Sequence, residues 1–340
     1  MSIGLLMGRF EPLHLGHLQD INIAAGRCDT LHIIVTPSEH QYHTKTLQDK
    51  ARWVQVACEY FDFIKVHTSD SLELPVTGDY VQGDLPDESI IQQVLAKVAT
   101  DSADANADAD VITFIKKDTD HKSALVTNEY DKLDIGANPI LYFDKLAPSA
   151  KSDHVQTVCI VGGESSGKTT LVHKLANHYG ATVALEMGRL YTHSDLGGTE
   201  VGLQYADYTA IAVNHARAIL DAKKHATAPI VLVDTDFVTT QAFCEEYEGR
   251  THPVVSALAD EMRMDHTIYL DNNVKWVADG MRRLGSQKQR SRFATRLLTV
   301  LERHGISPYV IDDDDYHQRY LQAVRYIDDH VLRLTHDNVQ

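Results

Sequence analysis

No arginine occurs between Arg52 and Arg189. That absence excludes the bidentate guanidinium grip on a phosphate from the whole stretch and leaves only the point charges of lysines such as Lys116, Lys117, Lys122 and Lys151 near its middle. Basic residues are scarce overall: 32 Lys and Arg stand against 48 Asp and Glu, a formal net charge of -16. Nonspecific nucleic-acid binding needs a basic face to displace counterions, so no nucleic-acid partner is expected. The deficit is concentrated early, with 13 Lys and Arg against 24 Asp and Glu in residues 1–154, where it serves solubility. No apolar run approaches the roughly 18 residues of a membrane span, and the opening "MSIGLLMGRF" lacks a basic region followed by an apolar segment and cleavage site. A cytoplasmic protein without a membrane partner is expected. Cys28, Cys58, Cys159 and Cys244 lie too far apart for a zinc site or redox dithiol and read as buried reduced thiols.

What is present is a folded composition, 43% hydrophobic and 24% charged, in 340 residues, enough for two domains. "IGLLMG" (3–8) reads as a strand, and Leu18, Ile21 and Ala25 at helical spacing before Gly26 read as the helix that follows. "LHIIVT" (31–36), "VITFI" (111–115) and "PILYF" (139–143) are further expected strands, with a helix in "KARWVQVACEYF". The acidic, low-complexity "DSADANADAD" (101–110) reads as a solvated connection, and "DKLAPSAKSDH" (144–154) as a linker. Beyond it, "QTVCIVGG", "ATVALE" (181–186), "PIVLVDTDF" (229–237), "HTIYL" (266–270) and "SPYVID" (307–312) continue the alternation, and Leu171, Val172, Leu175, Ala176 and Tyr179 make one apolar helical face ending at Gly180. The expected fold is α/β, two doubly wound parallel-sheet domains: a Rossmann-like domain over residues 1–150 and a phosphate-loop domain over 151–340.

The second half holds "GGESSGKTT", in which Gly162, Gly167, Lys168 and Thr169 fit G-x-x-x-x-G-K-[ST] between a strand and a helix. Backbone N–H groups of Gly162, Gly163, Glu164, Ser165, Ser166, Gly167 and Thr170 converge on phosphate oxygens in such a loop, Lys168 neutralises the β and γ phosphates, and Thr169 holds Mg²⁺. ATP is therefore the expected ligand. A hydrolase and a kinase share this loop, so the acceptor side decides. Asp234 and Asp236 end a strand in "VLVDTDF" and Glu186 ends the preceding one. At the carboxyl edge of one sheet, one carboxylate can reach Mg²⁺, with Asp234 the metal candidate, while another orients or deprotonates an alcohol. "DGMRRLGSQKQRSRF" (279–293) gathers Arg282, Arg283, Lys288, Arg290 and Arg292. It reads either as a lid bringing Arg282 and Arg283 to the transferring phosphoryl group or as a solvated helix face.

The first half has its own phosphate chemistry. His14, Gly16 and His17 form H-x-G-H at the start of the first expected helix, after a loop containing Gly8, Arg9 and Phe10. Imidazoles there can hydrogen-bond a triphosphate and stabilise charge as pyrophosphate leaves, the requirement of nucleotidyl transfer.

These segments resemble the NadR family, bacterial proteins that join a nicotinamide mononucleotide adenylyltransferase domain to a ribosylnicotinamide kinase domain. The resemblance is densest in "VGGESSGKTTLV", "LEMGRLY", "LQYADY", "VDTDFVTTQAFCEEYEG" and "GMRRLGSQKQR", and rests on "GRFEPLHLGHL", "LHIIV" and "KARWVQ" in the first half. It implies that the second half phosphorylates nicotinamide riboside with ATP and Mg²⁺, and that the first half adenylylates nicotinamide mononucleotide to NAD. Glu186, Arg189, Tyr205, Asp207, Tyr208 and Gln241 would then surround the riboside. Some relatives begin with a helix-turn-helix repressor domain; this chain starts in its first strand, and no repressor role is expected. The family's closing serine-containing segment with isoleucine-arginine is not found in the first half. That departure leaves a second reading open, a kinase joined to a module that binds NAD or ATP without catalysis, and a third, the same two activities on another vitamin-derived substrate such as a phosphopantetheine precursor.

Overall fold

The computed structural model describes residues 2–37, 45–74, 88–101, 110–116, 124–125, 128–198, 202–274 and 286–334. It divides into two compact units, Met1–Lys151 and Ser152–Gln340. Both are α/β, and every strand pair in both sheets is parallel. Among the described residues no helix is long and apolar enough to cross a membrane.

The first unit runs β1 (Ser2–Gly8), α1 (Leu15–Ala25), β2 (Thr30–Val35), α2 (Leu47–Ala57), β3 (Ile64–Thr68), α3 (Glu88–Asp101), β4 (Asp110–Lys116), β5 (Ala124–Leu125) and the one-turn α4 (Pro148–Lys151), with strand order β3-β2-β1-β4-β5. The pleat sends neighbouring residues to opposite faces. Leu6, Leu31, Ile33 and Val35 pack on one side with Ile21 and Ala24 of α1 and Trp53 and Val54 of α2. Leu5 and Ile34 pack on the other with Ile90 and Val94 of α3. Helix α2 opens with a reciprocal cap in which Asp49 N–H donates to Thr46 Oγ1 and Thr46 N–H donates to Asp49 Oδ2.

The second unit runs β6 (Gln156–Gly162), α5 (Lys168–Tyr179), β7 (Thr182–Ala184), α6 (Met187–Asp195), α7 (Asp207–Lys224), β8 (Ile230–Asp234), α8 (Phe237–Glu248), α9 (Pro253–Glu261), β9 (His266–Leu270), α10 (Gln287–Arg303), β10 (Tyr309–Ile311) and α11 (Tyr316–Tyr326), in the order β10-β9-β6-β8-β7. β6 and β8 are buried almost throughout, as their unbroken apolar runs require. Leu171, Val172 and Leu175 of α5 and Ala323 of α11 cover one face of the sheet, and α7 packs on β7 and β8. The strand order reverses between β1 and β4 in the first sheet and between β6 and β8 in the second. Such switch points leave a crevice beyond the strand ends, where ligands of open α/β sheets bind.

Two sequence expectations are corrected. Residues 139–143 are not a strand but a turn leading into a 3₁₀ helix, Phe143–Lys145. Pro139 has no N–H to give a ladder, Leu141 is half exposed, and only Phe143 of the run is buried. The two-residue β5 takes the edge position instead. The supposed linker 144–154 is in part core: Ala147 and Ala150 are fully buried among the residues of the α1/α2 face, and Ala147 N–H donates to Leu13 O at 3.0 Å. Residues 102–109 of the acidic connection lie outside the described residues.

A carboxylate at Ala147 would be desolvated without a partner, so Ala147→Asp is expected to cost the first unit about 3 kcal/mol or more in chemical denaturation. Unchanged stability would return this segment to the status of a linker.

Candidate functional site

The crevice of the second unit is built around the loop leaving β6. Gly162 has φ 151°, and a Cβ there would lie 2.6 Å from Leu270 O; Gly167, the N-cap of α5, has φ 91°, and its Cβ would meet the Tyr316 ring at 2.7 Å. Both positions therefore demand glycine for conformation and for space. The loop wraps so that Lys168, the first residue of α5 and 5% exposed, reaches back to donate from Nζ to Gly163 O at 3.0 Å. Thr169 Oγ1 donates to Asp234 Oδ2 at 2.6 Å, tying the loop to the end of β8. Asp234 Oδ1 and Ser166 Oγ are buried without a protein partner, polar atoms that call for a ligand or ion.

Three acids expected to cooperate are separated by the fold. Thr235 sits between Asp234 and Asp236 with φ 74°, unusual for a β-branched residue. This turn sends Asp234 toward Thr169 and commits Asp236 to the cap of α8, where its Oδ1 accepts from Thr239 N–H and Oγ1, each at 2.7 Å. Glu186 stands two residues past β7 as the N-cap residue of α6, 3.7 Å from Arg189 Nε. It lines a cleft with Thr192, Tyr208, His215, Thr235, Phe243 and Tyr247. Burial raises the Asp234 pKa, the nearby Glu186 raises it further, and Lys168 and the Thr169 hydrogen bond oppose them. Burial raises that of Asp236 too, against its two bonds from Thr239. Tyr247 OH donates to Glu164 Oε1 at 3.1 Å, joining this cleft to the phosphate loop.

Other expected residues are placed elsewhere. Gln241 is fully buried, its amide nitrogen on Glu245 Oε1 and its oxygen on His252 N–H. Asp207 accepts from Tyr191 OH and Gln204 N–H at the start of α7. Tyr205 donates to Thr251 O beneath the Arg250 guanidinium. None of the three is among the residues lining the cleft. Arg282 and Arg283 lie outside the described residues. The rest of the basic run is the first part of a regular helix: Arg292 is ion-paired with the buried Glu246, which also holds Arg296 at 2.8 Å, and Lys288 is exposed. These positions lie on α10, which packs on α8. Arg290 differs: it is buried, and its carbonyl accepts from Asn272 Nδ2.

In the first unit His14 is the N-cap of α1, its Nδ1 accepting from Gly16 N–H at 3.1 Å and His17 N–H at 3.4 Å, while His14 N–H donates to His17 Nδ1 at 3.3 Å. With Nδ1 an acceptor on both rings, each proton is on Nε2, a donor directed away from the cap. The rings stack at 3.6 Å. Phe10 is buried in the core with its ring over Gly8, where a Cβ would be 3.0 Å away. Arg9 is part-exposed beside it. Of the lysines available for a late clamp, Lys151 lies 5.3 Å over the Phe143 ring; Lys117 and Lys122 and the side chain of Lys116 are outside the described residues.

Sequence reasoning missed Lys50 and Arg319. Lys50 is 2% exposed and pairs with Glu11 of the β1–α1 loop at 3.2 Å. Arg319 is 1% exposed and reaches the phosphate loop, its Nη1 donating to Ser166 O at 2.9 Å. Lys50 interrupts the apolar row Leu47, Ala51 and Val54, and that interruption was the available signal; Arg319 only precedes Ala323 and Ile327 on its helix face.

Folding raises the Asp234 pKa above its ordinary 3.8. Such a group favours the folded state below its ordinary pKa and loses that contribution as pH rises through the folded value. Asn keeps an acceptor for Thr169 without the buried charge, so metal-free Asp234→Asn is expected to melt above the native protein at pH 7, with a gap that narrows toward pH 4. A lower melting temperature at pH 7 contradicts this.

A family model described as an AAA domain matches residues 157–319, from β6 into α11. The trifunctional NAD biosynthesis/regulator protein NadR of Escherichia coli strain K12 is 36% identical over 343 residues, covering 96% of this chain and 82% of its own. The protein of the same name from Salmonella typhimurium strain LT2 is 37% identical with the same coverage. A crystal structure of NadR protein in complex with NR aligns over 97% of this chain and 96% of its own with a TM-score of 0.76 at 19% identity. Another, in complex with NAD and AMP-PNP, aligns over the same shares with a TM-score of 0.74 at 20% identity. The fold is theirs, and the sequence relation to the two bacterial proteins extends along nearly the whole chain: it belongs to the NadR family.

Proposed function

We propose that the protein works in NAD salvage and that its second unit transfers the γ-phosphoryl group of ATP to the primary hydroxyl of nicotinamide riboside, giving nicotinamide mononucleotide and ADP. The observation that supports this reading is the Thr169–Asp234 hydrogen bond, which joins two side chains that would hold a metal beside a cleft containing a second carboxylate. Among the described residues no cluster of three or more metal-ligating side chains is present. Mg²⁺ keeps waters and phosphate oxygens and takes only one or two protein ligands. Thr169 Oγ1 and the unpartnered Asp234 Oδ1 fit that demand; when bound, the ion supplies charge neutralisation at the phosphates.

The division of labour follows from the partners of each acid. Asp234 would hold the metal and Asp236 caps its helix, which leaves Glu186 to accept the proton of the attacking hydroxyl, with Arg189 beside it. Lys168 releases Gly163 O and meets the β and γ phosphates. Phosphoryl transfer requires mainly positioning and charge stabilisation, which these groups provide. Tyr208, Phe243 and Tyr247 bring aromatic rings to a cleft that also holds the Glu186 carboxylate, a setting that favours the cationic pyridinium ring of the riboside.

For the first unit the reading is adenylyl transfer. A phosphate oxygen of nicotinamide mononucleotide attacks the α-phosphorus of ATP, the bond to the β-phosphate breaks, pyrophosphate leaves and NAD remains. The Nε2–H donors of His14 and His17 at the start of α1 stabilise the departing charge. The stretch without arginine favours a second reading, a module that binds NAD or ATP and regulates the kinase.

Lys168→Ala is expected to lower riboside phosphorylation about a thousandfold or more while the melting temperature stays near native; full turnover of nicotinamide riboside by a folded variant contradicts the kinase. Native protein given nicotinamide mononucleotide, ATP and Mg²⁺ is expected to release pyrophosphate and form NAD. No product, where the same sample phosphorylates the riboside, selects the regulatory module.

A further inference from the structure

We infer that Arg319 is a positioning residue for ATP, holding the phosphate loop in its anion-binding shape from behind. The inference rests on the phosphoryl transfer proposed above but draws on different contacts. Arg319 is among the largest fully buried side chains of the molecule. Its Nη1 donates to Ser166 O at 2.9 Å, Nη2 to Asp271 O at 2.9 Å and to Asn273 Oδ1, and Nε to Asp313 O. One guanidinium thus joins the phosphate loop, the segment leaving β9 and the β10–α11 connection, three pieces of chain that meet at the carboxyl edge of the sheet.

Two features tie this arrangement to nucleotide rather than to packing alone. All four acceptors are neutral, three backbone carbonyls and one side-chain amide, so the charge is not consumed in a contact ion pair; burial lowers the Arg319 pKa, and Asp271, Asp312 and Asp313 offset it from nearby. Secondly, the carbonyl of Ser166 belongs to the same peptide as the N–H of Gly167, at the start of α5. A charged donor on that oxygen polarises the peptide and makes its N–H a stronger donor toward an anion. Tyr316, one turn earlier on α11, rests against Gly167 and closes the outer side of the loop. Lysine cannot replace this function: an ammonium presents three donors from one point and lacks the planar fork that spans acceptors on three segments. The acceptor cleft is lined by α6, α7 and α8 and includes no residue that Arg319 touches.

Loosening the loop weakens ground state and transition state together, so the loss falls on KM for ATP more than on kcat. Arg319→Lys and Arg319→Met are expected to raise KM for ATP about tenfold or more, with kcat within about threefold and KM for the riboside within about twofold. AMP-PNP titration with Mg²⁺ should show the same loss of affinity without any acceptor present. If these variants fail to fold, Asn273→Ala, which removes one acceptor, is expected to raise KM for ATP about threefold. Folded variants that melt lower yet keep native KM and AMP-PNP affinity would make Arg319 a strut and overturn the inference. A native protein that binds AMP-PNP but does not phosphorylate the riboside would sink the kinase reading and leave the Arg319 comparison to the titration.

Discussion

A single hydrogen bond, from Thr169 Oγ1 to Asp234 Oδ2, ties the phosphate loop of the second unit to the end of β8. It is possible because β6 and β8 are neighbours in the sheet. In the register of that pair Asp234 stands opposite Ile160, two residues before the glycine that starts the phosphate loop. The loop therefore begins where the acid ends, and the buried apolar runs that set the register also set the distance between the residues that would hold the metal. A slip of one residue would turn Asp234 to the opposite face of the sheet.

The electrostatics follow from that placement. Asp234 is buried, which raises its pKa; nearby Glu186 adds to this, and Lys168 at the start of α5 opposes it. Ligand phosphates require the opposite polarity, and the fold supplies it from backbone dipoles, from Lys168 and from the Arg319 guanidinium behind Ser166. Glu186 lines the cleft with Arg189 beside it, while Lys168 and Arg319 bear on the loop. In the first unit the imidazoles of His14 and His17 form the cap of α1, which sets their tautomer.

What could be read in the sequence was what local spacing determines. Gly162, Gly167, Lys168 and Thr169 are neighbours in the chain, and the strands around them are long apolar runs, so both loop and sheet were legible. Asp236 was not, because the left-handed turn at Thr235 breaks the alternation that would have placed it beside Asp234. Arg319 was hidden for another reason: its partners Ser166, Asp271 and Asn273 are 153, 48 and 46 residues away, and in the sequence it is one basic residue of a polar helix. The segment 144–151 has the proline, serine and lysine of a linker, yet its two alanines are small enough to pack fully, and composition does not reveal packing. Gln241 resembled a substrate residue by its neighbourhood in the chain, but its amide joins α8 to the start of α9.

The most direct test of the central claim is a crystal structure of the protein with Mg²⁺, AMP-PNP and nicotinamide riboside. The account predicts the triphosphate against the amides of residues 163–169, the ion on Thr169 Oγ1 with Asp234 as its nearest carboxylate, and the riboside hydroxyl within hydrogen-bond reach of Glu186. Nucleotide bound away from this loop, or a riboside whose hydroxyl faces no carboxylate, would contradict it.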